Sequence, residues 1–294
     1  MSSTSLARID AYQDHRDEDM TEPRLGFIGA GNMATSLISG LLASGQPHDH
    51  LLAADPDEGQ RQALRQKYAI EVLDSNAMLA ERAHVLILAV KPQSLKAVCA
   101  ELQQILQANK PLIISIAAGI RIRQLEHWLD YPAAIVRAMP NTPALIQCGA
   151  SALYANAQVD PAQREQASRI LAAAGMIVWL DDEEQMDIVT ALSGSGPAYF
   201  FLFMETLTAA AAELGLPADI ARQLTLQTAL GAARMAIEGN DDLTTLRRRV
   251  TSPGGTTERG IQAMEAAGIH RLVRDTLLAA HQRAIELSQP FEEA

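Results

Sequence analysis

Arg24-Leu25-Gly26-Phe27-Ile28-Gly29-Ala30-Gly31-Asn32-Met33-Ala34 is the stretch on which the fold turns. Residues 25–28 form a short apolar run suited to a buried strand, and the run stops at Gly29-Ala30-Gly31. From Met33 an amphipathic helical pattern continues to about Ala43, with Gly45 as its stop. Strand, glycine turn and helix in that order give G-x-G-x-x-A a mechanism. Gly29 permits the tight turn, Gly31 lets backbone approach a pyrophosphate, and Ala34 lets the helix pack closely on the strand. The helix N-terminus then faces the anion, so the segment predicts a dinucleotide-binding turn.

The chain has 294 residues, enough for one large or two ordinary domains with ample core. Hydrophobic content of 48% is that of a globular protein, and a formal net charge of −11 argues against nucleic acid or an anionic membrane as partner. Cys99 and Cys148 stand apart in no metal or redox spacing, which fits a reduced cytoplasmic protein with both thiols as core fillers. His48 and His50 sit in a Pro-His-Asp-His turn that reads as solvated, and no metal site is expected. Residues 1–23 carry Asp10, Asp14, Asp17, Glu18, Asp19 and Glu22 with no apolar signal core, and read as a disordered acidic tail.

Downstream of the first helix, residues 51–54 form a second strand ending at Asp55-Pro56. An acid about 20 positions past the glycines accepts from the ribose 2′-hydroxyl, which places Asp55 as a reader of NAD. Arg61 and Arg65 follow one and two turns later and are candidates for a 2′-phosphate, so both NAD and NADP stay open. Residues 70–72 read as a strand, 75–81 as a short helix, and 84–90 as a strand buried on both faces. A helix from Gln93 to about Leu106 leads to a fifth strand, 112–116, closed by Ala117-Ala118-Gly119. Small residues there suit either a planar ring or simple tight packing. A strand over 134–138 runs into Met139-Pro140-Asn141-Thr142-Pro143, followed by a strand at 151–154, a helix at 161–174 and a strand at 176–180. This alternation predicts a doubly wound α/β sheet over residues 24–182.

From residue 183 to 294 the pattern is helical. Ser193-Gly194-Ser195-Gly196-Pro197 reads as a flexible break, with Pro197 starting a helix over 198–214 whose apolar part reads as buried. That part is too short to span a bilayer. A long helix over 218–238 has small residues at Ala229, Gly231, Ala232 and Ala233, as expected of interlocked or dimeric helices. Short and long helices at 243–250 and 272–287 complete the region. Between them lies Arg249-Val250-Thr251-Ser252-Pro253-Gly254-Gly255-Thr256-Thr257-Glu258, where hydroxyls and amides at a helix start fit either a carboxylate pocket or an ordinary cap. No lysine follows Lys110, and no serine–histidine–acid pattern is present. A reaction here must rest on a cofactor, positioning, hydroxyls and backbone amides.

Gly29-Ala-Gly-Asn-Met, Ala89-Val-Lys-Pro-Gln, Ala117-Ala-Gly, Met139-Pro-Asn-Thr-Pro, Leu192-Ser-Gly-Ser-Gly-Pro-Ala-Tyr and Val250-Thr-Ser-Pro-Gly-Gly-Thr-Thr together resemble the pyrroline-5-carboxylate reductase family. The resemblance runs in order from about Arg24 to the last helix. It implies an N-terminal Rossmann domain followed by an all-α dimerisation domain, with dimers gathered into a larger homo-oligomer such as a decamer. It also implies reduction of 1-pyrroline-5-carboxylate to L-proline with NADP(H) or NAD(H), as the last step of proline synthesis. By resemblance, Gly29, Ala30, Gly31, Asn32 and Met33 hold the pyrophosphate and Asn76 lies on the adenosine side. Ala89, Val90, Lys91 and Pro92, with Ala117, Ala118 and Gly119, line the nicotinamide end. Ser252, Gly255 and Thr256 hold the substrate carboxylate, while Thr257 reaches the ring nitrogen as the catalytic residue. Arg249 stands where some relatives have a cofactor-contacting Asn.

Two other classes compete. A 3-hydroxyacid dehydrogenase also joins a Rossmann domain to helices but wants a lysine in the helical part. A dinucleotide-sensing protein needs no second anion pocket.

Overall fold

The computed structural model describes residues 23–291, so the predicted acidic tail lies, Pro23 apart, outside the described residues. Its strands are β1 (Leu25–Ile28), β2 (Leu51–Ala54), β3 (Glu71–Leu73), β4 (Val85–Leu88), β5 (Leu112–Ser115), β6 (Ile135–Met139), β7 (Gly149–Ala155) and β8 (Gly175–Trp179). They form one sheet in the order β3-β2-β1-β4-β5-β6-β7-β8. The first six strands are mutually parallel, while β7 pairs antiparallel with β6 and parallel with β8.

The helices of this half are α1 (Asn32–Ala43), α2 (Glu58–Tyr68), α3 (Asn76–Ala80), α4 (Pro92–Asn109), α5 (Ile122–Leu129) and α6 (Pro161–Ala172). Strand side chains alternate between two cores. Phe27, Ala53, Ile87, Ile114 and Val136 meet Leu37, Ile38 and Ile170 of α1 and α6. Ile28, Leu52, Leu86, Ile113 and Ile135 meet Leu79, Leu95, Leu102 and Leu125 of α3, α4 and α5. Burial on both faces explains why β1, β2, β4 and β5 read as unbroken apolar runs. Asp57 caps α2 by accepting from the Gln60 N–H at 2.8 Å. Asp160 and Gln163 exchange cap bonds at the start of α6, with Pro161 in its first turn.

Helix α5 is an element the sequence reading passed over. It is only eight residues long, and its buried Ile122, Leu125, Trp128 and Leu129 carry a helical stripe too brief to stand out. Cys99 is buried as expected, but Cys148 is exposed beyond a short helical turn and corrects the expectation of two core thiols. Burial pushes the Cys99 thiol up to about 12. A thiol reagent at mildly alkaline pH should therefore label Cys148 at once and Cys99 only after denaturant is added. Equal labelling rates in the native protein would overturn that placement.

The remaining helices are α7 (Gln185–Val189), α8 (Gly196–Glu213), α9 (Ala218–Glu238), α10 (Leu243–Arg249), α11 (Thr256–Ala266) and α12 (Ile269–Ser288). Two expectations need correction here. Residues 193–197 are not a flexible break, because α7 runs on through a π-helical turn, Thr190–Gly194, into α8. The Ser195 N–H donates to the Thr190 carbonyl at 2.9 Å, and the hydroxyls of Thr190, Ser193 and Ser195 bond back to carbonyls one turn earlier. The second correction concerns α8, which is not buried within one chain. It packs on α9 and leaves Phe200, Phe201 and Leu202 more than 60% exposed, at 69%, 63% and 63%. Among the described residues no helix is long and apolar enough to cross a membrane.

Candidate active site

The dinucleotide-type residues converge at the carboxyl edge of the sheet because β2, β1, β4 and β5 are neighbours. Gly29 has φ +99°, and a side chain there would come within 2.8 Å of the Ala89 carbonyl oxygen, so the turn and the end of β4 are in direct contact. Ala30 is buried, and its N–H donates to Asp55 Oδ2 at 2.8 Å. Asp55 Oδ1 accepts from the Asp57 N–H at 2.9 Å, so this carboxylate braces the glycine turn against the end of β2. Gly31 is the opposite of Gly29: no atom of the described residues lies within 4 Å of where its side chain would point. Behind it α1 begins without a side-chain cap or an acid in its first turn. No side chain caps the amides at the positive end of this twelve-residue helix, the arrangement a pyrophosphate fits.

Asn76 opens α3 at the same edge, its Nδ2 donating to Glu101 Oε2 at 3.1 Å. Val90 is half-buried, Lys91 is exposed ahead of α4, and Pro92 is its first residue. Ala117, Ala118 and Gly119 follow β5; Gly119 has φ +76°, and a side chain there would lie 3.3 Å from the Leu287 carbonyl oxygen of α12. Tight packing against α12 therefore accounts for that glycine. Neither arginine near the ribose end is idle. Arg61 donates to the carbonyls of Asp55 and Pro56 at 2.8 and 2.9 Å and pairs with Glu58, while Arg65 donates to the Val72 carbonyl at 2.6 Å.

The second cluster sits at the start of α11. Gly255 precedes it without a side-chain cap, and the Gly255 N–H donates to the Ser252 carbonyl at 3.0 Å. Ser252, Thr256 and Thr257 are exposed, so three hydroxyls stand beside uncapped amides. Glu258 Oε2 accepts from the Gly254 N–H at 2.9 Å and steadies the loop. Arg249 pairs with Asp241 inside the chain. The structure thus brings Ser252, Gly255, Thr256 and Thr257 together, but it does not bring them to the cofactor turn of the same chain. Hydrogen bonds of the 251–258 loop run within the helical region, and α10 and α11 do not pack substantially on the sheet.

Sequence reasoning missed the residues that join the halves. Arg137 in β6 meets Glu183 and Asp187, Arg121 meets Asp187, and Asn141 Nδ2 donates to the Ser193 carbonyl at 3.0 Å. An arginine inside the apolar strand Ile135–Met139 was the available signal.

Comparison with known proteins places the chain. A family model described as pyrroline-5-carboxylate reductase dimerisation matches residues 183–287, and one described as NADP oxidoreductase coenzyme F420-dependent matches residues 24–119. A pyrroline-5-carboxylate reductase of Pseudomonas aeruginosa is 54% identical over 270 residues, 92% of this chain and 98% of that one. The solved pyrroline-5-carboxylate reductase of Coxiella burnetii superposes with a TM-score of 0.87 at 43% identity, covering 90% of this chain and 98% of that one. The pyrroline carboxylate reductase of Plasmodium falciparum, solved with NADP bound, gives 0.81 at 29% identity, covering 91% and 98%. A Rossmann-type sheet ahead of a helical dimerisation region, with near full-length identity of this order, makes the chain a member of the pyrroline-5-carboxylate reductase family.

Proposed function

We propose that this protein reduces 1-pyrroline-5-carboxylate to L-proline with NADPH or NADH, the last step of proline biosynthesis. The observation that carries the reading is the pair of uncapped helix N-termini. One opens behind Gly31, and the other is flanked by three hydroxyls, in a chain 54% identical to a reductase. A dinucleotide and a small carboxylate are the two anions such a pair accommodates. NADP in the Plasmodium relative supports the cofactor class. A 3-hydroxyacid dehydrogenase is disfavoured by the absence of lysine beyond Lys110, and a sensor by the second anion pocket.

In this reading the division falls between residues 182 and 183, where the dimerisation match begins. Gly29, Gly31, Asn32 and Met33 cradle the pyrophosphate, and Ala30 supports them through Asp55. Asn76 faces the adenosine side, while Ala89 to Pro92 and Ala117 to Gly119 border the nicotinamide end. Ser252 and the Thr256 amide take the substrate carboxylate beside Gly255, whose own N–H is held by the Ser252 carbonyl, and this seating directs the ring nitrogen to the Thr257 hydroxyl. A dinucleotide held by these residues would supply the hydride that the imine carbon needs. Thr257 orients the nitrogen and relays to it a proton from water; an imine nitrogen is basic enough to need no lysine or histidine. Because the α11 loop lies apart from its own cofactor turn, the site is completed by a second copy. The assembly is a homodimer, gathered into a larger ring such as a decamer, working in the cytoplasm. Adding pyrroline-5-carboxylate to enzyme and NADPH or NADH should consume the dinucleotide and yield proline. Consumption no faster than without substrate would defeat the reading.

Cofactor preference is open to a sharper test. The negative charge of Asp55 stands at the ribose end and disfavours a 2′-phosphate by about 1 kcal/mol or more where partly shielded. NADH should therefore serve well. Asp55→Ser should raise the NADPH/NADH ratio of kcat/KM. It should also weaken both cofactors, since the brace to Ala30 is lost. Asp55→Asn keeps an acceptor for Ala30 and should move the ratio with less overall loss. An unchanged ratio in both variants would remove Asp55 as the reader.

A further inference from the structure

Four charged side chains meet where the sheet joins the helices, and none belongs to the cofactor turn or the α11 loop. The Arg137 side chain in β6 is 4% exposed and that of Asp187 in α7 is 5% exposed. Arg137 Nη1 lies 3.0 Å from Glu183 Oε1, and its Nη2 lies 3.9 Å from Asp187 Oδ1. Arg121, just ahead of α5, places Nη2 3.2 Å from Asp187 Oδ2. Glu183 Oε1 also accepts from the Ile122 N–H at 2.8 Å. The cluster is neutral as a whole, and it ties β6, the start of α5 and α7 to one point. A buried guanidinium is tolerated only while its carboxylates stay in place, so the cluster specifies one arrangement of these elements.

What it holds is the π turn. Asp187 lies three residues before Thr190, with no break in the helix between them. At the far end Asn141 Nδ2 holds the Ser193 carbonyl, while its Oδ1 accepts from the Ala150 N–H at 2.8 Å. Gly194 rests on Met139 at the end of β6, where a side chain would come within 2.7 Å of Met139 Cε. The turn is thus pinned at both ends to the sheet edge that gathers the cofactor-turn residues. A π turn interrupts the regular helical bonding and recurs at functional sites, so its shape depends on such outside clamps.

We propose that Arg137 and Asp187 are positioning residues: their charge cluster fixes the π turn, and with it the start of α8, against the carboxyl edge of the sheet. The helical half then meets the dinucleotide half at a set height. The kinetic part of this inference rests on the reductase reading; the structural part does not.

Hydrogen exchange on the full-length protein tests it directly. Arg137→Gln removes the charge, Arg137→Lys keeps it without the planar fork, and Asn141→Ala loosens the far end without touching the ions. In Arg137→Gln and Asn141→Ala, amides 189–196 should exchange about tenfold faster while β1 and β4 keep wild-type protection. In the same variants kcat for pyrroline-5-carboxylate should fall roughly tenfold, with the dinucleotide KM within about twofold, and Arg137→Lys should recover part of the loss. A merely stabilising cluster would lower Tm and leave kcat of the folded protein untouched. Unchanged exchange at 189–196 in both variants overturns the clamp, and faster exchange with wild-type kcat overturns the positioning role. Should Arg137→Gln not fold, Asp187→Asn, which keeps the shape and removes the charge from the π-turn side, carries the test. A wild type that fails to turn over pyrroline-5-carboxylate would sink the reductase reading, and the exchange result would still decide the clamp.

Discussion

Thr257→Ala should lose about 2–4 kcal/mol of transition-state stabilisation, the size expected on removing one preorganised donor. The reason is geometric. Thr257 is the second residue of α11, exposed beside uncapped amides, so a carboxylate seated on that helix start leaves the next donor to the substrate ring. Thr257→Ser should lose far less, because the hydroxyl survives. Dinucleotide affinity should stay near wild type in both, since Thr257 is assigned to the substrate ring and not to the dinucleotide. Initial rates across substrate concentration, with cofactor binding measured separately, check all three statements. Wild-type kcat/KM in Thr257→Ala would falsify the assignment.

Ala232→Arg should abolish association and activity together. In one chain the helical region leaves Phe200, Phe201, Leu202 and Phe203 of α8 and Leu224, Leu230 and Met235 of α9 exposed. An apolar surface of that extent is unstable in water unless a partner covers it. Ala232 lies on α9 among these residues, and Gly231 beside it has no atom of the described residues within 4 Å of where a side chain would point. Those small residues leave room for a neighbouring helix, and an arginine would place an unpaired charge in the apolar contact. Sedimentation of the variant should give a monomer with negligible reductase activity. A variant that stays dimeric, or an active native monomer, would refute the interlocked assembly.

Much of the first half could be read directly, because strands buried on both faces leave continuous apolar runs and the glycine turn leaves its own spacing. The reversed direction of β7 and β8 could not, since an antiparallel β6–β7 pair and a parallel one carry the same local pattern. The π turn was misread as a break because serine and glycine are poor helix formers in isolation. Here hydroxyl-to-carbonyl bonds and the Asn141 clasp hold them. The exposure of α8 within one chain was legible, because so long an apolar helix cannot be covered by the few helices of a single chain. At the site, glycine and hydroxyl motifs were legible because each is local in sequence. Arg137, Glu183 and Asp187 were not, since a charge cluster drawn from distant segments has no spacing to recognise.

The most direct test of the shared site combines two inactive variants. Gly31→Asp should fold, since the backbone there has φ −71° and open space beyond it, while its carboxylate blocks the pyrophosphate. Thr257→Ala removes the donor from the other half. Co-expressed with different tags and purified as hybrid dimers, the two chains form one site with both halves intact and one with both damaged. Recovery of proline formation by the hybrid, well above either parent, is the result expected if a cofactor turn works with its partner's α11 loop. A hybrid as inactive as its parents would contradict the account.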